Sequence, residues 1–546
     1  MQLGLILWLL VGLASSLQFI PASSPFIHYV GRWTSTPNQL RRDGTFPGVY
    51  LDLNITNTTT LLLALSNLPA SHLASSSTSA QPSHTATHRL AHLTFTKSSR
   101  LAIPAAPVSL LARVDDEEYV LLPNASGLVS VRADLEREAW HGVRVIAPMV
   151  GEMGVEGGMV GFEGVWVDEG GKLLRVAGVG GVGAGEGGGE SAEVDEGDAG
   201  AGLDGQASSA MVTKPRKKLI EIITDFPGGE SRTPGSANGL LAGVMGWEYL
   251  LGEVFGVDHV SIAVDGMCLT QDCIGGVGSP AGIGDVVFRS GPVGSRHFQH
   301  TWMFQEYVPD VILLNLGTTD NASFTTHVAA YNTTAWALTT AFEDTYVSLI
   351  KALRALAYPV HPAALQPSSQ AYLDNADAPP VIPIFVMRPF MGAMEHATVG
   401  VVRRVREDGD VGAFWLDTSG WLEAPSSVHA PLDEGTEGVV GARRAPDSNG
   451  NGNGDFWWDE GTAAATDTGA DVGGKGRWRL TPRGNQKAAM YLHGHLCGYL
   501  AEEGSRCPFL RREVYGGKVF DPLETRLERA VQRGREKWLR ERVWGV

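Results

Sequence analysis

The sequence predicts an all-β sandwich followed by an α/β domain whose parallel sheet carries helices on both faces. Three observations predict it. Residues 26–175 hold short β-branched or alternating apolar runs with no sustained helical period. A Gly-rich acidic stretch, 178–210, then breaks the chain. From Lys214 onward, continuous apolar strands alternate with helical stretches, the pattern of a sheet buried on both sides.

Length and composition set the frame. The chain has 546 residues, 43% of them hydrophobic, which is enough for more than one core. A formal charge of −17 argues against a general nucleic-acid binder, which needs a basic face to displace counterions. The N-terminus, residues 1–16, runs from an apolar core at Leu3–Leu13 into Ala14, Ser15 and Ser16, as in a secretory signal peptide. It lacks a leading Lys or Arg, so an uncleaved anchor that holds the chain in the secretory lumen is the alternative. The apolar run is short of the ~20 residues of a bilayer span, and no later segment supplies a stable one. Sequons at Asn54, Asn57, Asn124, Asn321 and Asn332 agree with export. So do four cysteines: Cys268 with Cys273 and Cys497 with Cys507 are the local pairings, although three connectivities are open. "CLTQDC" has no second ligand pair nearby, so no metal or other cofactor is expected.

Along the chain, "GVYLDLNIT", "TTLLLALSN", "HLTFTK", "VSLLARVDDEEYVLLP" and "GVRVIAPMV" supply the strands of a β-sandwich over 26–177. A linker spans 178–212. The α/β domain spans 214–510, with strands at Leu219–Thr224, His259–Val264, Val311–Leu316 and Val381–Met387. Helical stretches cover Leu240–Phe255 and Trp336–Ala357, and a last helix opens at about Pro482. A low-complexity insertion, 423–476, contains "NGNGNG", and an Arg-rich helical tail covers 519–546.

In such a sheet, ligands sit beyond the C-terminal strand ends, so the residues after each strand carry the chemistry. These are Thr224-Asp225-Phe226, then Asp265-Gly266, then "GTTD" at 317–320, and "RLTPRGNQKAA" before the last helix. With "VGRWT…RRDGTFPGVYLDLNI", "VGFEGVWVDEGGKLL", "PDVILLNLGTTDNASF" and "FVMRPFMGA", these blocks resemble the SGNH (GDSL-type) hydrolase superfamily. The nearest resemblance is to carbohydrate esterase family 2, acetylxylan esterase-like enzymes that place a jelly-roll β-domain before an SGNH domain. The resemblance implies a carboxylic-ester hydrolase fold, a carbohydrate deacetylase by activity, acting on acetylated polysaccharide. It also implies roles. The nucleophilic serine falls on Phe226, the oxyanion glycine on Gly266, the oxyanion asparagine on Thr319, the acid on Trp478 and the base histidine on Thr481. Nucleophile, base and one oxyanion donor are therefore replaced, which removes the acyl acceptor and the group that would take its proton.

Spare candidates are Asp225, Ser231 and His396. Asp320 either lines the cleft with Asp225 or is buried and structural. His493 and His495, about three turns into the last helix, are expected on its core or surface face, away from the strand ends. Trp247 and Trp421 are candidates to stack on sugar rings, with core packing the expected role of Trp247. Three functions follow: a pseudo-esterase that binds glycan without turnover, an active esterase or acyltransferase with rearranged residues, or a structural adaptor acting through its tail or insertion.

Overall fold

The computed structural model describes residues 17–36, 40–66, 108–147, 160–176, 217–228, 244–359, 382–422, 455–459 and 477–501. The predicted signal, the linker, the tail, Ser231, Cys507 and all but 455–459 of the insertion lie outside the described residues.

The β-rich region is built from β1 (Leu17–Pro21), β2 (His28–Val30), β3 (Trp33–Ser35), β4 (Arg42–Gly44), β5 (Tyr50–Thr56) and β6 (Leu61–Leu65). It continues with β7 (Val108–Val114), β8 (Val120–Ala125), β9 (Gly127–Arg132), β10 (Trp140–Ile146), β11 (Val160–Asp168) and β12 (Lys172–Leu174). They form two antiparallel sheets. One is ordered β3-β4-β11-β6-β9 with β1 on β11, the other β12-β5-β10-β7-β8 with β2 on β5. Alternation explains the packing: Leu51, Leu53 and Ile55 of β5 share a core with Leu61, Leu63 and Leu65 of β6.

β5 is nevertheless buried on both faces. Its other face lies against the α/β domain, where Tyr50, Val30, Leu111 and Ile146 pack with Leu219, Val244, Tyr249 and Val260. The acids of that seam are paired. Asp258 meets His28 at 2.6 Å and Lys217 at 2.6 Å, and Arg144 donates to Asp52 at 2.7 and 2.9 Å and to Glu253. Burial opposes charge on Asp258, but the His28 hydrogen bond and the Lys217 ammonium hold its carboxyl well below the usual carboxylate range.

The second sheet is parallel: β13 (Leu219–Thr224), β14 (Asp258–Ala263), β15 (Val311–Asn315), β16 (Ile384–Met387) and β17 (Ala413–Leu416), ordered β14-β13-β15-β16-β17. β17 is only four residues long, too short an apolar run to stand out in sequence. The helices are α1 (Trp247–Phe255), α2 (Ile283–Val287), α3 (Thr318–Thr326), α4 (Ala335–Ala352), α5 (Glu395–Glu407) and α6 (Pro482–Leu500). The stretch expected to stay helical to Ala357 instead leaves the α-helix at Ala352 and closes in a π-type turn, Leu353–Ala357. Ile220, Ile222, Val311 and Leu313 pack with Trp247, Leu251, Leu492 and Leu496 on one face. Ile223, Ile312, Leu314 and Val386 pack with Phe342, Tyr346, Val401 and Val402 on the other. Within the insertion, β18 (Phe456–Asp459) pairs with β19 (Arg477–Leu480), so this part of it is ordered backbone joined to the strand before α6. The strand order reverses between β13 and β15, and that crevice is where an open α/β sheet takes its ligand. No helix among the described residues is long and apolar enough to cross a membrane.

Candidate functional site

β13 delivers Asp225, Phe226, Pro227 and Gly228 into the crevice. The turn begins locally: the Thr224 hydroxyl accepts from Phe226 N–H at 3.0 Å. Asp225 then reaches under the start of α3, where its Oδ2 accepts from Thr319 N–H at 2.7 Å and Gly317 N–H at 3.3 Å. The carboxyl caps the positive end of that helix from within the protein. Gly317 adopts φ +115°, and a Cβ there would stand 2.8 Å from the Phe342 ring, so only glycine makes this turn.

Phe226 points into apolar packing. It is 7% exposed, with its ring 6.2 Å from that of Phe390. Phe390 in turn meets Trp247 edge-on at 5.7 Å. The Trp247 indole N–H donates to the Phe226 carbonyl at 3.3 Å, which fixes the backbone as well as the ring. Gly228 follows in a gap with no room for a side chain: a Cβ would meet Asn485 Oδ1 at 2.2 Å and Trp247 N at 2.7 Å. Its N–H is held by both carboxyl oxygens of buried Glu248, each at 3.0 Å.

The remaining positions are occupied as follows. Gly266 is buried in the left-handed region, φ +71°, and its carbonyl accepts from Val277 N–H at 2.8 Å. The loop after it is closed by the Cys268–Cys273 disulfide. Asp320 is fully buried and accepts from Leu269 N–H (2.8 Å), Thr270 N–H (3.1 Å) and the Thr270 hydroxyl (2.8 Å). It ties that loop to α3, and the two acids are each committed to backbone amides. Thr319 is half-buried in the first turn of α3. Thr481 is the N-cap of α6: its Oγ1 accepts from Gly484 N–H at 3.1 Å. His396 is exposed in the first turn of α5. His493 packs on Phe255 at 4.5 Å and His495 stacks on Trp421 at 5.3 Å. At 1.5 Å per residue these two lie roughly 18 and 21 Å along α6 from Thr481. Trp247 is fully buried, and Trp421 is 8% exposed beneath Tyr491 and His495. Among the described residues no group of three or more His, Cys, Asp or Glu side chains is placed to hold a metal ion.

Sequence reasoning misses three participants. Glu248 and Asn485 support the Gly228 turn, and Arg479 on β19 pairs at 2.9 Å with Asp265, the residue before Gly266. None carries a spacing signal, because each acts across a contact between distant elements.

Burial dominates the electrostatics. It pushes the Asp225 carboxyl up to about 7 against the pull of the Thr319 and Gly317 amides, and Glu248 up to about 8. Both groups hold a proton in the folded state at pH values where the unfolded chain has lost it. Their contribution to stability is therefore full below about pH 4 and is lost as pH rises through about 7 and 8. The expected size is on the order of a few kcal/mol. Urea unfolding of the native protein and of Asp225→Asn between pH 4 and 8 checks this. The stability difference between them should change across that range, and a constant difference would refute the assignment.

No protein-family model matches the sequence, and no curated protein matches it. Among solved structures, an acetyl xylan esterase from Butyrivibrio proteoclasticus is 12% identical, with 74% of this chain and 90% of that chain covered and a TM-score of 0.46. A family two carbohydrate esterase from Cellvibrio japonicus is 14% identical, with 76% and 91% covered and a TM-score of 0.44. One from Clostridium thermocellum, in complex with cellohexaose, is 19% identical, with 72% and 88% covered and a TM-score of 0.41. Likeness at this level assigns no residue a role. The chain is similar in fold to family two carbohydrate esterases, at low identity.

Proposed function

We propose that the chain is an exported pseudo-esterase, a jelly-roll β-domain joined to an SGNH-type α/β domain that holds a glycan without serine-esterase turnover. The observation that carries this reading is Phe226 packed among Phe390 and Trp247 at the end of β13, where the resemblance puts a serine. A ring there offers no acyl acceptor, and closing apolar contacts around it leaves the position to core packing. The base position supports the same reading, since Thr481 spends its hydroxyl on capping α6 and has no pKa near neutrality. Thr319 gives its N–H to Asp225, and its short side chain replaces an amide whose loss alone weakens oxyanion binding by several kcal/mol in serine enzymes. The ligand class, an acetylated polysaccharide, rests on the sequence blocks quoted above.

Purified full-length protein tests this directly. Hydrolysis of 4-nitrophenyl acetate and of acetylated xylan should not exceed the buffer rate, while acetylated xylan retards the protein in affinity electrophoresis. Turnover that disappears on changing Asp225 or His396 would replace this reading with that of an active, rearranged esterase.

A further inference from the structure

The five sequons are equivalent as motifs, but the fold treats them differently. Asn54 is 8% exposed and sits inside β5, paired to Gly142 of β10 on one side and Leu174 of β12 on the other. Its Nδ2 donates to Arg175 O at 3.3 Å. A sugar on that nitrogen has no volume to occupy, and seating one requires β12 to leave the sheet. Asn57 is exposed, with Nδ2 donating to Gly170 O at 2.7 Å, and Asn321 is half-buried in α3. Asn57 shares its left-handed backbone, φ +56°, with Asn124 and Asn332, φ +51° and +48°, which asparagine adopts readily. But Asn124, near the end of β8, and Asn332, in the turn before α4, are exposed and, among the described residues, without the side-chain bond that holds Asn57.

Asn332 has a second feature beside it. It lies two residues before Thr334, the N-cap of α4, and Trp336 follows in the first turn of that helix. Trp336 is 81% exposed, the highest value among the large apolar side chains described. An indole left in water at the base of a sequon is a surface for the apolar face of a pyranose ring.

We infer that the folded chain carries N-linked glycans on Asn332 and Asn124 and none on Asn54, with the first sugar on Asn332 lying over Trp336. This rests on the reading that the chain is exported. In the transfer, the amide nitrogen forms a bond to the anomeric carbon of an N-acetylhexosamine. The bond from that carbon to a lipid diphosphate breaks, the diphosphate leaves with the electron pair, and the nitrogen loses one proton. The donor is the lipid-linked oligosaccharide of the secretory lumen.

The test is expression of the chain in a glycosylating eukaryotic host behind a heterologous secretion leader, which makes entry into the lumen independent of residues 1–16. Glycopeptide mass spectrometry of the folded, secreted protein should find Asn332 and Asn124 occupied and Asn54 bare. A bare Asn332 or Asn124, or an occupied Asn54 in folded protein, overturns the assignment. For the stacking, Trp336→Ala should lower the Tm of the glycosylated protein by ~1–2 °C and leave the Asn332→Gln background unchanged. Equal shifts in both backgrounds overturn it.

Discussion

Replacing Arg32 by methionine is expected to destabilise the whole protein by about 3–5 kcal/mol, the cost typical of breaking a buried, hydrogen-bonded charge. Arg32 lies between β2 and β3 and is completely buried. Its guanidinium leaves the β-rich region and donates to Val286 O at 3.2 Å, Val287 O at 2.6 Å and Arg289 O. These carbonyls lie at and just beyond the end of the short helix α2. That of Val286 also accepts from Arg289 N–H at 3.0 Å, whereas those of Val287 and Arg289 rely on the guanidinium. The rings of Phe46, Trp302 and Phe304 surround the cation at 4.9, 5.3 and 5.9 Å. Nearby Glu221 is buried inside β13, held by the hydroxyls of Tyr307 at 2.9 Å and Tyr358 at 2.6 Å. Burial pushes its pKa up, and the Arg32 charge draws it back. Methionine keeps the volume but orphans the Val287 and Arg289 carbonyls and removes that charge. Lysine supplies donors without the planar fork, so Arg32→Lys should fall between the two. The urea midpoint measures this, and a loss under about 1 kcal/mol for Arg32→Met would show that the seam does not depend on it.

The same residue shows where sequence reading stops. The strands β13 and β15 are legible because they are continuous apolar runs that end in a change of composition. The first turn of α6 is legible because Thr-Pro opens a helix in a recognisable way. Arg32, in "VGRWT", looks like an ordinary surface cation. Its burial depends on carbonyls some 254 residues away. Asn54 is the converse: its motif is plain, but the second strand that buries it, β12, is read only once the sheet is assembled. Glu248 and Arg479 fail for the same reason as Arg32. Positions set by order along the chain, such as Phe226, Gly266 and Thr481, are proposed by aligning blocks, whereas partners set by tertiary contact leave no such trace.

Phe226→Ser is expected to produce no esterase, although it returns a hydroxyl to the end of β13. A serine hydroxyl ionises far above neutrality and attacks an ester only when a base takes its proton. Thr481 is bound to Gly484 N–H as a cap, His396 is exposed on α5, and the Asp225 carboxyl is turned to the amides of α3. The new hydroxyl would instead sit beside Phe390 and Trp247, in a space left by a whole aromatic ring. The large-to-small loss alone is about 3–5 kcal/mol, and an unpaired buried hydroxyl adds to it. Phe226→Ala separates the two terms, since it opens the same space without the polar group. Nitrophenyl acetate hydrolysis and urea unfolding of both variants decide the matter. Two unstable, inactive proteins mean that the ring is structural and the base is absent. Turnover in Phe226→Ser but not in Phe226→Ala means that a base still faces β13, and the pseudo-esterase reading falls with it.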